Sequence, residues 1–127
     1  MGISFTTQLM GAAGAMAATI VLAGGRDEAS SAKAVDFVER FTGLDFNDDR
    51  LSSDMSDPNL SIRLRGDVML VAEQLSSPAV DAFVRGMNAI AAVCRRPDDA
   101  ALAVQTCAVL LGARGTGGRR GARRANR

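Results

Sequence analysis

Arg95-Arg96-Pro97-Asp98-Asp99-Ala100 is a predicted helix start, and it leads directly into an apolar run from Ala101 to Leu111. Pro97 suits the first helical position, because the N–H that proline lacks would have no partner in the first turn. Asp98 and Asp99 then fall in that turn and complement the positive end of the helix dipole. The stretch therefore predicts a helix over 97–111 with two arginines just outside its N-terminus.

The same stretch carries the most suggestive chemistry of the chain. Arg95 and Arg96 would project where phosphates could be held, and the two carboxylates could accept hydrogen bonds from ribose hydroxyls or base amino groups. These residues equally fit an ordinary helix N-terminus with solvated arginines. Both interpretations stay open from the local sequence.

Hydrophobic periodicity predicts three further helices before this one. The first covers about Thr6 to Ala23, the second runs from Ser30 or Ser31 to Gly43, and the third begins at Ser77-Pro78. An acidic, Ser-rich loop is predicted over Asp45–Asp57 and a short extended segment over Asn59–Arg65, whereas Asp67–Leu75 stays unassigned. The predicted fold is all-α, an up-and-down four-helix bundle over residues 1–114 with an extended segment between its second and third helices.

Composition argues against catalysis. The 127 residues include no His, and Cys94 and Cys107 form no CxxC motif. Asp98 and Asp99 are adjacent and point to different sides of a helix, so no nucleophile and base can be paired. We therefore expect no enzymatic activity, no cofactor, no metal and no small-molecule substrate.

Charge is distributed unevenly along the chain. From Arg114 onward there are six arginines and no acidic residue, whereas residues 1–113 hold nine basic and fourteen acidic side chains. The Gly- and Arg-rich segment 115–127 is predicted to be flexible and to attract nucleic acid or any acidic surface without sequence preference. A basic tail of this kind can also serve only solubility or targeting.

The uncharged stretch from Phe5 to Gly25 is long enough to span a bilayer. It is rich in Ala, Gly and Thr, and no Lys or Arg precedes it, which disfavours a signal sequence or a membrane anchor. A small membrane-associated protein with an inserted first helix is nevertheless kept as an alternative.

The order of elements resembles that of the coat proteins of tobamovirus-like, rod-shaped single-stranded RNA viruses. Residues 96–104 are similar to the family's Arg-x-Asp-Asp-Ala run, and residues 112–117 resemble the segment that follows the same helix. Residues 32–41 look like its second helix, and Ile62-Arg63-Leu64 looks like its extended Val-Arg-Phe segment. The loop before the last helix is shorter than in the plant viruses, and the basic tail is unlike those coats.

The resemblance implies roles for individual residues. Arg95 and Arg96 would neutralise phosphates, and Asp98 and Asp99 would contact ribose or base edges. A flat apolar face for the bases would come from Leu102, Ala103 and Thr106. Lys33, or Arg40 in its place, would reach phosphate from the second helix, and Arg85 is a weaker candidate.

The function that follows is a structural one. The chain is expected to be a capsid protein of a virion, found also in the host cytoplasm, that self-assembles as a helical homo-oligomer around single-stranded RNA. A nucleic-acid-binding module that acts through the Arg-rich tail alone is the other alternative.

Overall fold

The computed structural model describes residues 4–112, which form six α-helices. The helices are α1 (Phe5–Gly24), α2 (Glu28–Thr42), α3 (Asp48–Met55), α4 (Leu60–Ala72), α5 (Ser77–Ala92) and α6 (Pro97–Leu110). The described part of the chain contains no strand, so the predicted all-α class is confirmed. The predicted tail over 115–127 lies outside the described residues.

Helix α1 lies at the centre and packs against all five other helices. Every residue from Ala12 to Ala18 is buried, which covers all faces of a helix, and the small side chains let its neighbours approach closely. The helix begins after Ser4, whose hydroxyl accepts the Thr7 N–H, and ends at Gly25 with a φ of 89°. Helix α1 is thus the core helix of the fold.

Within residues 4–112, α1 is also the one helix that is long and apolar enough to cross a membrane. Just over half of its most apolar 18-residue window, 56%, is buried inside the fold. Length and composition alone do not separate a membrane span from a core helix, and the packing accounts for the apolar character of α1.

The end of α1 fits tightly against the turn between α5 and α6. A Cβ atom at Gly24 would lie 2.6 Å from the Cys94 Sγ and 2.8 Å from the Ala100 Cβ, so only glycine fits there without rearrangement. Ala100 and Cys94 are both buried. This contact fixes the start of α6, and with it the predicted RNA-binding arginines.

Helix α2 begins earlier than predicted and packs against α5. Asp27 caps the helix, accepting the Ser30 N–H while the Asp27 N–H donates to the Ser30 hydroxyl. Its aromatic face meets α5, where the rings of Phe37, Phe41 and Phe83 have centroids 4.3–5.7 Å apart. The hydrophobic periodicity that predicts the second helix is confirmed, since Ala34, Phe37 and Val38 are buried on one side of α2.

The prediction of an extended segment over Asn59–Arg65 is wrong, because these residues start α4. Its buried residues Leu64, Val68 and Val71 follow helical spacing, and Arg63 forms ion pairs with Asp54 and Asp57 at 3.1 and 2.8 Å. The unassigned run 67–75 belongs mostly to the same helix.

The prediction of an unstructured acidic loop over Asp45–Asp57 is also wrong, since it contains α3. Asn47 caps this helix by accepting the Arg50 N–H, and Leu51 is its buried anchor. With α3 and α4 added, the predicted arrangement of four helices is not confirmed.

Candidate nucleic-acid interface

Arg96 is held against the C-terminal end of α1. Its backbone N–H donates to the Gly24 carbonyl at 2.7 Å, and its guanidinium donates to the Ala23 carbonyl at 3.3 Å. The same guanidinium lies 3.4 Å from the Asp99 carboxylate. A cation at the carbonyl end of a helix is favourable, so part of the role of Arg96 is to join α1 to α6.

Arg95 is exposed and has no hydrogen-bonded or ion-paired partner among residues 4–112. It lies near Asp27, whose pKa the Ser30 N–H holds below its usual value, with a smaller lowering from the charge of Arg95. Arg95 is therefore the arginine of this pair whose charge is available to a ligand.

Asp98 and Asp99 are exposed in the first turn of α6, as the sequence predicted. Asp99 is engaged with Arg96 at 3.4 Å, whereas Asp98 has no ion-paired partner in the described part of the chain. Both carboxylates complement the dipole of α6, so they have a structural role whatever they bind.

The outer side of α6 is an exposed strip with an apolar residue at each end. Leu102 is 61% exposed and Val109 74% exposed, and the exposed Thr106 lies between them. The spacing of four and three residues places these side chains on one face of the helix. We call Leu102, Thr106 and Val109 the α6 strip.

Ala103 does not belong to the α6 strip, because it lies on the buried side of the helix with 9% exposure. The apolar surface expected from Leu102, Ala103 and Thr106 therefore has to come from the α6 strip instead. Val109 was missing from the predicted set, although its position seven residues after Leu102 was the signal that could have found it.

Lys33 and Arg85 lie on other helices than the α6 strip, Lys33 on α2 and Arg85 on α5. Lys33 is exposed on α2, where it lines a depression of about 50 Å³ between α2 and α5 together with Arg40. Helix α2 packs mainly against α1, α3 and α5, and Arg85 is exposed on α5. The predicted residues from 95 to 106 thus lie on one helix and its leading turn, with Ala103 on the buried side, whereas Lys33 lies on a different helix.

Both cysteines are buried free thiols. Burial raises the pKa of Cys94, and it raises the pKa of Cys107 to about 12. Each thiol stays protonated at neutral pH and is a poor nucleophile or metal ligand. No group of three His, Cys, Asp or Glu side chains suited to a metal ion occurs within residues 4–112.

Searches with this chain against known protein families, curated proteins and solved structures gave no match. The resemblance to rod-shaped virus coats stays a prediction, and the geometry of α6 defines the candidate site.

Proposed function

We propose that the protein is a structural coat subunit that polymerises around single-stranded RNA, with the outer side of α6 facing the nucleic acid. The observation that carries the proposal is the presence, on one helix and its leading turn, of an exposed uncommitted arginine and the α6 strip. RNA of any sequence offers phosphates to a cation and flat bases to an apolar surface. A protein that must cover a whole genome needs this pair of features rather than a base-reading code.

Within this proposal Arg95 neutralises a phosphate and the α6 strip supports the bases. Arg96 adds positive potential while it remains attached to the end of α1, where it donates to the Ala23 carbonyl. Asp98 is the carboxylate available to a ribose hydroxyl. Helices α1, α2, α5 and α6 would correspond to the four bundle helices of the coat family, with α4 in the place of the extended segment.

A coat subunit also needs surfaces that contact other copies. Helix α4, which packs beside α6, exposes Ile62 and Met69 by 72% and 51%, seven residues apart and so on one face. Exposed large apolar side chains in a row are typical of protein–protein contacts. We assign this face of α4 to contact between copies in a virion assembled in the host cytoplasm.

The test is a titration of the full chain with a fluorescently labelled single-stranded RNA, followed by anisotropy at several salt concentrations. Arg95→Ala is expected to weaken binding about fivefold and to reduce the slope of log affinity against log salt by about 0.7, the value for one lost phosphate contact on a single strand. Leu102→Asp, which places a carboxylate in the α6 strip, is expected to weaken binding about tenfold or more, because base stacking contributes ~1–3 kcal/mol per base.

Lys33→Ala is the matched control, since it removes one exposed positive charge from a helix that lies away from α6. It is expected to leave the affinity nearly unchanged. Equal losses for Arg95→Ala and Lys33→Ala would mean that net charge, and not the α6 face, governs binding. Full binding by Arg95→Ala and Leu102→Asp would contradict the proposal and favour the Arg-rich tail as the binding segment.

A further inference from the structure

An open groove of about 810 Å³ runs between α2 and the start of α3. Five carboxylates line it, and the apolar side chains of Ala32, Val35 and Phe46 also contribute to its walls. The carboxylates are Asp27, Glu28, Asp36, Glu39 and Asp48. We call this feature the acidic groove; it lies on other helices than the α6 strip, although its Asp27 carboxylate lies near Arg95.

Among residues 4–112, the one cation that lines the acidic groove, Arg26, is already ion-paired. The Arg26 guanidinium lies 2.9 Å from the Asp48 carboxylate and donates to the hydroxyls of Ser31 and Ser52 at 3.0 and 2.7 Å. The lining residues therefore carry a formal net charge of −4, which Arg40 partly offsets through its ion pair with Asp36 at 3.3 Å. A ligand that complements this lining is multiply cationic and carries uncharged residues where it crosses the apolar part of the groove.

The segment 114–127 of this chain has that chemistry. It contains six arginines and no acidic residue, and its remaining residues are mostly glycine and alanine. Guanidinium groups form strong, bidentate hydrogen bonds with carboxylates, which gives such a segment a direct means of attachment. We propose that the acidic groove binds the segment 114–127 of a second copy of the chain, an inference that rests on the self-assembly in the proposed function.

We commit to the segment of a second copy, because the proposed function requires each copy to contact other copies. The segment follows α6 in the sequence, whereas the acidic groove lies between α2 and the start of α3. A contact between two different surfaces is heterologous, and such contacts generate rings or open helical polymers.

The experiment compares full-length variants by analytical ultracentrifugation at low salt without RNA. The groove variant, Glu28→Gln with Asp36→Asn, removes two negative charges from the acidic groove. The segment variant removes four positive charges from the segment by placing glutamine at Arg119, Arg120, Arg123 and Arg124. The groove variant keeps Asp27 and Glu39, which accept backbone N–H groups within the fold. Removing two exposed carboxylates is expected to raise the dissociation constant about tenfold, and high salt should do the same to the unmodified chain.

The decisive sample is a 1:1 mixture of the two variants, at a concentration where the unmodified chain associates and each variant alone is monomeric. One variant still offers its segment and the other still offers its groove, so the mixture is expected to form a discrete dimer. A mixture that stays monomeric, or an unmodified chain that is monomeric at every concentration, would overturn the inference.

The control is Glu73→Gln with Asp81→Asn, which makes the same change in net charge at exposed residues outside the groove. It is expected to associate like the unmodified chain, and association as weak as that of the groove variant would also overturn the inference. RNA binding by the monomeric groove variant is expected to be normal. The two failures are therefore distinguishable. Failure of the groove inference appears in the association of the chain without RNA, whereas failure of the RNA proposal appears as an unchanged RNA affinity of Arg95→Ala.

Discussion

Alanine at Arg96 is expected to destabilise the fold, whereas alanine at Arg95 is expected to weaken RNA binding without a change in stability. The two arginines are adjacent, and both are exposed. They differ in their contacts, because Arg96 reaches the Ala23 carbonyl and the Asp99 carboxylate and Arg95 reaches neither. The pair therefore separates the structural role of this turn from its proposed function.

The expected loss for Arg96→Ala follows from three contributions. The hydrogen bond to the Ala23 carbonyl contributes about 1 kcal/mol. The ion pair with Asp99 adds only a few tenths, since the side chains of Arg96 and Asp99 are 56% and 57% exposed. The favourable position of the cation at the end of α1 adds about 0.3–1 kcal/mol. These contributions overlap because they share one charge, so the expected total is about 1.5 kcal/mol.

The assay is thermal and urea unfolding of the full chain followed by circular dichroism. A loss of about 1.5 kcal/mol lowers Tm by about 6 °C for a domain of this size. Arg95→Ala is expected to stay within about 0.5 kcal/mol of the unmodified chain. Equal destabilisation by the two substitutions would refute the distinction, and so would a stable Arg96→Ala protein.

Three further predictions concern the core and its polar contacts. Met16→Ala is expected to lower the free energy of unfolding in detergent-free buffer by about 2–5 kcal/mol, because Met16 is fully buried in α1; an insignificant loss would argue against a core role for this helix. Arg63 and the Asn59 N–H hold the pKa of the Asp57 carboxyl below its usual value of 3.8. The ionised Asp57 carboxylate therefore stabilises the fold fully above pH 3.8, and this stabilisation is lost as the pH falls through the lowered pKa. Asp57→Asn is thus expected to reduce the acid-dependent loss of stability, measured by urea unfolding between pH 2 and 6, and an unchanged pH profile would contradict this. The Cys107 thiol, with a pKa of about 12, is expected to react with a thiol reagent at pH 8 only after unfolding, and fast labelling of the native protein, resolved by peptide mapping, would show that it is not buried.

Much of the helical framework could be predicted because its boundaries are set by local signals. Gly25 stops α1 in a conformation with positive φ, and Pro97 marks the start of α6. Helix α5 begins at Ser77-Pro78 as predicted, with Ser76 as its N-cap. These residues act through their own backbone and side-chain chemistry, so their effect is readable without knowledge of the tertiary contacts.

The extended segment was predicted wrongly because seven residues are too few to distinguish a strand's alternation from helical spacing. Over residues 59–65 apolar and polar residues alternate, yet the run through Val68 and Val71 has helical spacing. Gly66 lies inside this helix, and an added side chain there would meet nothing within 4 Å, so the position faces outward. The ion pairs of Arg63 with α3 then favour the helix, and those depend on tertiary structure.

Helix α3 had a readable signal that the acidic composition obscured. Asn47 followed by two aspartates is a typical helix start, but only Leu51 of the eight helical residues is buried. With so little periodicity, the segment resembles a solvated loop. Its helical state depends on contacts with α1 and α2, which local sequence does not contain.

The outward face of α6 was the least predictable part of the candidate site. The helix is apolar nearly all round, so the sequence gives no reason for Leu102 to be exposed and Ala103 to be buried. That choice is made by packing against α1, α4 and α5. The cluster from 95 to 99 could be placed from sequence, but the attachment of Arg96 to α1 could not.

The central claim is that copies of this chain assemble around single-stranded RNA, and negative-stain electron microscopy of the full-length protein tests it most directly. Samples with and without RNA of two defined lengths are compared at low and moderate salt. The account predicts rods or stacked discs whose length follows the length of the RNA. Small particles of uniform size under every condition would contradict it.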